Sequence, residues 1–171
     1  MQKNVKFITV TAILIALKIV FDRFLSFSVW NQRIGLSFIA VALAAYLFGI
    51  YSAVLVGAIG DFLGAILFPQ GQYFFGFTAT AALIGLIFAL GLFKDQKPLK
   101  IVLCVLSNQI ICTLLLNSLW ISILYGAPFS GMIVSRIPQA ILMTVVQTAV
   151  LCLFFLPKSP IAKQLNLLKQ N

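Results

Sequence analysis

Phe68–Ala79 reads FPQGQYFFGFTA and separates two apolar runs that are each long enough to form a membrane helix. Pro69 and Gly71 end the first run, because both residue types interrupt helices. The second run begins with an aromatic group: Tyr73, Phe74, Phe75 and Phe77. Aromatic residues at such a turn are typical either of the membrane interface, which they anchor, or of the rim of a ligand pocket. Charged and polar residues elsewhere in the chain favour the rim.

The composition is that of an integral membrane protein. Of the 171 residues, 62% are hydrophobic and only 9% are charged, too few charges to cover the surface of a soluble domain of this size. The apolar runs approach about 20 residues, the length with which a helix crosses a bilayer. Residues 1–171 are therefore predicted to form a single transmembrane domain. The first apolar run has no cleavage pattern behind it, so it is interpreted as a retained span.

The predicted fold class is all-α, an integral membrane bundle of six transmembrane helices. Backbone groups that face lipid must be satisfied within the segment, and the runs lack the alternation of a β-barrel. The predicted spans are Val5–Leu25, Ile34–Phe48, Tyr51–Phe68, Phe74–Phe93, Leu99–Tyr125 and Ile137–Leu156. Six spans put both termini on one side. Every lysine except Lys18 falls on that side, so the positive-inside rule predicts that both termini are cytoplasmic. Lys18 lies inside the first span, and we assign it no role from the sequence.

The three arginines, Arg23, Arg33 and Arg136, fall on the opposite, outer side, against the topological bias. Arginine binds carboxylate or phosphate through two parallel hydrogen bonds. Contact with lipid headgroups, or pairing of Arg23 with Asp22, is an alternative explanation. Because the arginines stand at the ends of different spans, an anionic extracellular ligand is the better hypothesis for the three together.

Polar side chains are predicted beneath the rim. Asp61 is the only acidic residue inside a span, about 10 Å below Phe68 at the helical rise. A carboxylate within the membrane requires either a cationic partner or a functional role, and both readings stay open. Asn117 and Trp120 share a face of the fifth span. A flat ring could stack on Trp120 or Phe77 while Asn117 binds its edge, although interfacial anchoring also explains Trp120.

The residue inventory disfavours an enzyme. The chain has no histidine and three acidic residues, which leaves almost nothing for acid–base or metal-assisted catalysis. A small intramembrane lipid-modifying enzyme is retained only as a less favoured alternative. No catalytic residue, metal, cofactor or nucleic-acid partner is expected.

Several stretches carry a resemblance. Ala12 and Ala16 form an Ala-x-x-x-Ala motif in the first span, which is a weak signal alone. The stronger stretches are RIGLSFIAVALAAYLFG (Arg33–Gly49), GAIGDFLGAILFPQGQYFFGFTATA (Gly57–Ala81) and LNSLWISILYGAPF (Leu116–Phe129), followed by Arg136. Together they resemble the folate-specific substrate-binding (S) component of an energy-coupling factor (ECF) vitamin transporter. The family pattern FPxGxYFPGFT has proline where this chain has Phe75.

The resemblance implies a high-affinity folate-binding subunit in the plasma membrane of a prokaryote. Such a subunit hydrolyses no ATP itself; it docks on a membrane coupling subunit that carries two ATPases, and it delivers folate or a reduced folate to the cytoplasm. Ala12 and Ala16 match the motif that contacts the coupling subunit. An S component for another vitamin is the alternative, but cationic thiamine or uncharged riboflavin would leave the outer arginines unexplained.

The predicted substrate site combines these motif positions with the residues identified above. Asp61 and Asn117 suit the edge of a pterin, aromatic side chains suit stacking, and the outer arginines suit the glutamate carboxylates of folate. The full set is Arg23, Arg33, Asp61, Phe68, Tyr73, Phe77, Thr78, Asn117, Trp120 and Arg136.

Overall fold

The computed structural model describes residues 2–29, 32–93, 96–156, 159, 161–162 and 164–165, with the side chains of residues 2–4, 27–29 and 32–34 outside the description. The helices are α1 (Gln2–Arg23), α2 (Phe38–Phe48), α3 (Ile50–Leu67), α4 (Phe75–Leu92), α5 (Pro98–Tyr125) and α6 (Phe129–Phe155), and the strands are β1 (Phe27–Val29) and β2 (Gln32–Ile34). Within this described part, α3, α4, α5 and α6 are long and apolar enough to cross a membrane, and α2 is a shorter apolar helix. The predicted all-α bundle of six helices is confirmed.

The connection between α1 and α2 differs from the prediction. The sequence predicts a polar connection from Ser26 to Arg33 and a second span that starts at Ile34. Instead β1 and β2 form a small antiparallel hairpin in which Ser28 pairs with Arg33, and α2 begins only at Phe38. The strands satisfy each other's backbone groups, so this polar segment does not need to become helical.

The start of the last helix also differs. The sixth span is predicted to begin at Ile137, whereas α6 begins at Phe129 and contains Pro138. Pro128 lies just before the first helical residue, where a missing N–H costs nothing. Arg136 therefore lies on the second turn of α6, about 10 Å along the helix from its start, rather than on a surface loop.

The start of α1 and the end of α6 lie at one end of the bundle. The ring of Phe7, near the start of α1, packs edge-on against Phe48 at 5.3 Å between centroids. Tyr46 packs against Phe155, at the end of α6, at 5.0 Å. We call this the closed end, and the opposite end, which carries the turn 68–74, the pocket end. The predicted placement of the helix ends on one side agrees with this arrangement.

The closed end holds the solid core. Four alanines of α2 are fully buried there, and Phe88, Leu92, Val105 and Leu151 fill the space between α4, α5 and α6 with exposed fractions of 0–1%. Gly49 alone joins α2 to α3, with φ of +77°, in the left-handed region that glycine adopts without strain. Close packing at this end closes the floor of a cavity that opens toward the pocket end.

Candidate ligand-binding site

A cavity of about 490 Å³ lies between the pocket-end halves of the helices. This size falls within the range of small-molecule binding sites. All six helices contribute to its walls. The lining includes Lys18, Asp22, Arg23, Phe38, Asp61, Gln70, Tyr73, Phe77, Thr80, Asn108, Gln109, Thr113, Asn117, Tyr125, Arg136, Gln139 and Gln147. Charged, amide and aromatic groups therefore face one cavity.

Asp61 is held by a short chain of hydroxyl groups. Thr78 Oγ1 donates a hydrogen bond to Asp61 Oδ2 at 2.8 Å. Its proton is used there, so the Tyr73 hydroxyl, 2.7 Å from Thr78 Oγ1, donates to Thr78. Asp61 Oδ1 has no hydrogen-bond partner among the described residues. Asp61 and Tyr73 line the cavity, whereas Thr78 lies behind them and ties α3 to the start of α4.

Trp120 braces the wall instead of lining it. Its indole N–H donates to Thr80 Oγ1 at 2.9 Å, and its ring lies 5.5 Å from that of Phe74. The Thr80 hydroxyl in turn donates to the carbonyl of Gly76 at 2.9 Å. Trp120 is not among the lining residues of the described structure, whereas Phe77 is. Of the aromatic residues considered for stacking, Phe77 and Tyr73 are the ones that face the cavity.

Two of the three predicted arginines meet at the cavity. Arg23 lines it from the end of α1, and Arg136 lines it from α6 with only 6% of its surface exposed. Gln70 Nε2 donates to the backbone carbonyl of Arg23 at 3.1 Å, which ties the turn 68–74 to α1. Arg33 lies in β2, and its side chain is outside the described part of the chain.

Phe68 has a supporting position. Its ring packs edge-on against Phe24 at 5.1 Å, and it is absent from the lining of the described cavity. Phe68 therefore joins the turn to the end of α1 and does not face the cavity.

An unusual helix geometry orients the α5 wall. The central segment Asn108–Leu116 is a π-helix, flanked by α-helical turns. Over nine residues an α-helix, at about 3.6 residues per turn, would put Asn108 and Asn117 on opposite faces. At about 4.4 residues per turn, the π-helix makes about two turns over the same stretch and brings them to one face. Asn108, Thr113 and Asn117 accordingly all line the cavity.

Polar residues that were not in the predicted site also face the cavity. Gln109, Gln139 and Gln147 are buried around its deeper part, with exposed fractions of 4–9%. Lys18 lines the wall on α1 and is 5% exposed. In the sequence, these four residues are recognisable only as polar or charged positions inside apolar spans. Helical periodicity alone did not say which of them face inward.

Ala12 and Ala16 lie on the outer surface of α1. Both are exposed, together with Ile8 and Ile13, which are 66% and 60% exposed. The opposite face of α1 is the one that packs inward, where the hydroxyls of Thr11 and Ser52 lie 3.0 Å apart. The small-residue motif is therefore available for contact from outside the bundle.

Comparisons with known proteins agree with this architecture. Residues 6–156 match the family of the ECF transporter, substrate-specific component. A folate transporter FolT of Clostridium novyi (strain NT) is 35% identical over 143 residues, which cover 83% of each chain. A folate transporter FolT of Leuconostoc mesenteroides subsp. mesenteroides is 29% identical over 146 residues, 81% of this chain and 78% of the relative.

One solved structure extends the likeness to three dimensions. The crystal structure of a FolT bound with folic acid superimposes with a TM-score of 0.82 at 26% identity, covering 91% of this chain and 95% of that one. The family match spans most of the sequence and the superposition spans most of the fold. The chain belongs to the substrate-specific components of the energy-coupling factor transporters.

Proposed function

We propose that this protein binds folate in the cavity of about 490 Å³ and presents it to an ECF membrane partner for import. The observation that carries the proposal is the joint presence of Asp61, Asn117 and Arg136 on the walls of one cavity. These groups suit the two chemically different ends of folate, an amide-like ring and a dianionic glutamate. The relatives named folate transporter add support. The family is one of transport subunits, so the protein is not an enzyme.

The pterin ring is assigned to the wall that contains Asp61. A carboxylate oxygen that accepts no hydrogen bond from the described residues suits the ring N–H and the 2-amino group of a pterin. Asn117, with one donor and one acceptor group, suits the amide-like edge. Phe77 offers a face for stacking. Thr78 and Trp120 act as positioning residues, because they donate hydrogen bonds to Asp61 and Thr80 respectively.

The glutamate of folate is assigned to the arginines. Arg23 and Arg136 both line the cavity, and Arg33 belongs to the hairpin that follows α1. Charge-assisted hydrogen bonds between guanidinium and carboxylate are about twice as strong as neutral ones. Burial strengthens them further, because little water competes for the same groups.

The membrane partner is assigned to the exposed face of α1. Small residues let helices approach closely within a bilayer, where packing and not the hydrophobic effect drives association. Ala12 and Ala16 provide such a surface. We propose that they contact a coupling subunit that carries two ATPase subunits, which supply the energy. The protein is a multi-pass membrane protein, and we assign it to the plasma membrane of a prokaryote with both termini in the cytoplasm; reduced folates are further candidate ligands.

The test is ligand binding by the purified, detergent-solubilised full chain, measured by titration calorimetry. We expect saturable, tight binding of folic acid without ATP or a partner subunit. Riboflavin and thiamine serve as controls, since neither carries the carboxylates that the arginines suit. Binding of either control in place of folic acid would replace the proposed ligand while leaving the family unchanged. Absence of binding of all three by a folded chain would reject a vitamin site in this cavity for these ligands.

A further inference from the structure

The side chains of Lys18 and Arg23 on α1 pack against α3 at Gly60 and Gly64. A methyl group added to Gly60 would lie 2.7 Å from Lys18 Cδ, and one added to Gly64 would lie 3.1 Å from Arg23 Nε. By contrast, a methyl group on Gly57 would overlap the backbone carbonyl of Ala81 in α4. Gly57, Gly60 and Gly64 thus form a stripe of small residues along α3 that has two uses. Its closed-end part packs against another helix, and its pocket-end part leaves room for two cationic side chains.

Lys18 is the less expected of these two cations. It is 5% exposed, it lines the cavity, and it makes no hydrogen bond or ion pair with any described residue. A buried ammonium group is costly unless something compensates its charge or accepts its protons. Because Gly60 has no side chain, the methylene chain of Lys18 packs directly against α3. This packing restricts the position of the ammonium group before any ligand binds. These features distinguish Lys18 from a lysine that reaches the membrane surface.

Asp61 follows Gly60 directly and lines the same cavity. The two groups carry opposite charges but form no ion pair with each other in the described structure, where Asp61 accepts a hydrogen bond from Thr78 through Oδ2. This wall therefore offers a hydrogen-bond donor and an acceptor whose formal charges cancel. A neutral ring with a donor edge and an acceptor edge matches such a wall better than a carboxylate does. A pterin is such a ring: N3–H and the 2-amino group donate, while the 4-oxo oxygen and N5 accept.

We propose that Lys18 is a ligand-binding residue that donates a hydrogen bond to the acceptor edge of the ring, next to the edge that Asp61 binds. This inference rests on the proposed function, because it assumes that the ring occupies this wall. Lys18 then determines specificity at position 4 of the pteridine. A 4-oxo ring accepts its proton, whereas a 4-amino ring presents an N–H group there and cannot.

The experiment compares folic acid with its 4-amino analogue, in which an amino group replaces the 4-oxo group and N3 carries no proton. Each variant is compared with the wild type for the same ligand, so the change at N3 affects both measurements equally. The dissociation constants of both ligands are measured for the full wild-type chain, Lys18→Met and Gly60→Ala. Lys18→Met keeps the stem and removes the charge. Gly60→Ala keeps the charge and displaces the stem. Lys97→Met is the matched control, since Lys97 is an exposed lysine outside the cavity lining.

For Lys18→Met we expect an affinity loss of at least about tenfold for folic acid, typical of a hydrogen bond from a charged donor, and a loss of under about threefold for the 4-amino analogue. Gly60→Ala should change the ratio of the two dissociation constants, folic acid over the 4-amino analogue, in the same direction. Lys97→Met should leave this ratio unchanged. An equal loss for both ligands, or no loss for either, would overturn the inference. If Lys18→Met does not fold, the ratio for Gly60→Ala decides alone. Failure of the wild-type chain to bind folic acid would reject the proposed function itself, and this inference with it.

Discussion

Asn108 and Asn117 face the same cavity although nine positions of α5 separate them. The π-helical segment between them makes this possible, because its wider turn brings both to one face. The residues on the other side of the segment are apolar and exposed; Ile111 is 41% and Leu115 is 46% exposed. The π-helix therefore adjusts the phase of α5 so that its polar side chains face inward and its apolar ones face lipid.

Replacing Asn117 by leucine tests the contribution of this wall. Leucine has the same number of side-chain heavy atoms but no polar atoms, so the ring edge of the ligand would lose a hydrogen-bonding partner. We expect the free energy of folic acid binding, measured by titration calorimetry, to become less favourable by about 1–2 kcal/mol. Leu119→Ala is the control, because Leu119 is 38% exposed and outside the lining. Equal affinities for Asn117→Leu and the wild type would remove Asn117 from the site.

Thr78 is expected to act through Asp61. Thr78→Val keeps the side-chain shape and removes the hydroxyl that joins Tyr73 to Asp61, so the carboxylate loses its fixed orientation. We expect a loss of folate affinity of about 1 kcal/mol. Tyr73→Phe breaks the same chain one step earlier. Since both changes disrupt one network, the double variant should lose less than the sum of the single losses; strict additivity would show that the residues act independently.

Arg136 should recognise the glutamate of folate. For Arg136→Met we expect a loss of about 2 kcal/mol or more in folate binding, as for a hydrogen bond to a charged group. Ligands with and without the glutamate, folic acid and pteroic acid, separate this effect from general damage to the pocket. The loss should be larger for folic acid. Arg136→Lys keeps the charge without the planar fork, so its affinity should be intermediate. A similar loss for both ligands would place the carboxylates elsewhere.

Trp120 is expected to stabilise the fold more than it binds ligand. Trp120→Phe keeps an aromatic ring but removes the N–H that bonds to Thr80. We expect the free energy of unfolding to fall by about 1 kcal/mol, seen as a lower midpoint of thermal unfolding in detergent, while folate affinity changes little. A large affinity loss with an unchanged midpoint would instead make Trp120 a direct stacking residue.

The α1 surface predicts a separation of binding from transport. A tryptophan in place of Ala12 or Ala16 would fill the space that a partner helix needs. We expect folate binding to the purified subunit to persist and folate uptake by cells that contain the complete transporter to be lost. Val145→Trp is the control, since Val145 is 64% exposed on α6. Unchanged uptake in both alanine variants would assign the docking surface to another face.

Part of the cavity lining was predictable because single positions carry strong signals. Asp61 and Arg136 stand out in a chain with 9% charged residues, and both face the cavity. Trp120 and Phe68 carried the same aromatic signal as Phe77, yet only Phe77 lines the cavity. Residue type does not reveal whether a ring faces inward or supports the wall from behind, since that depends on how neighbouring helices are rotated.

The sequence by itself determined the membrane class, the six-helix bundle and the family, because long apolar runs and local motifs are properties of the chain in order. Tertiary structure decided the rest. The sheet formed by residues 27–29 and 32–34 depends on pairing between strands, the inward face of α5 depends on a π-helical segment, and the placement of Lys18 depends on the absence of a side chain at Gly60. Each is set by contacts between parts of the chain that pack together in space, and periodicity along one helix does not record them.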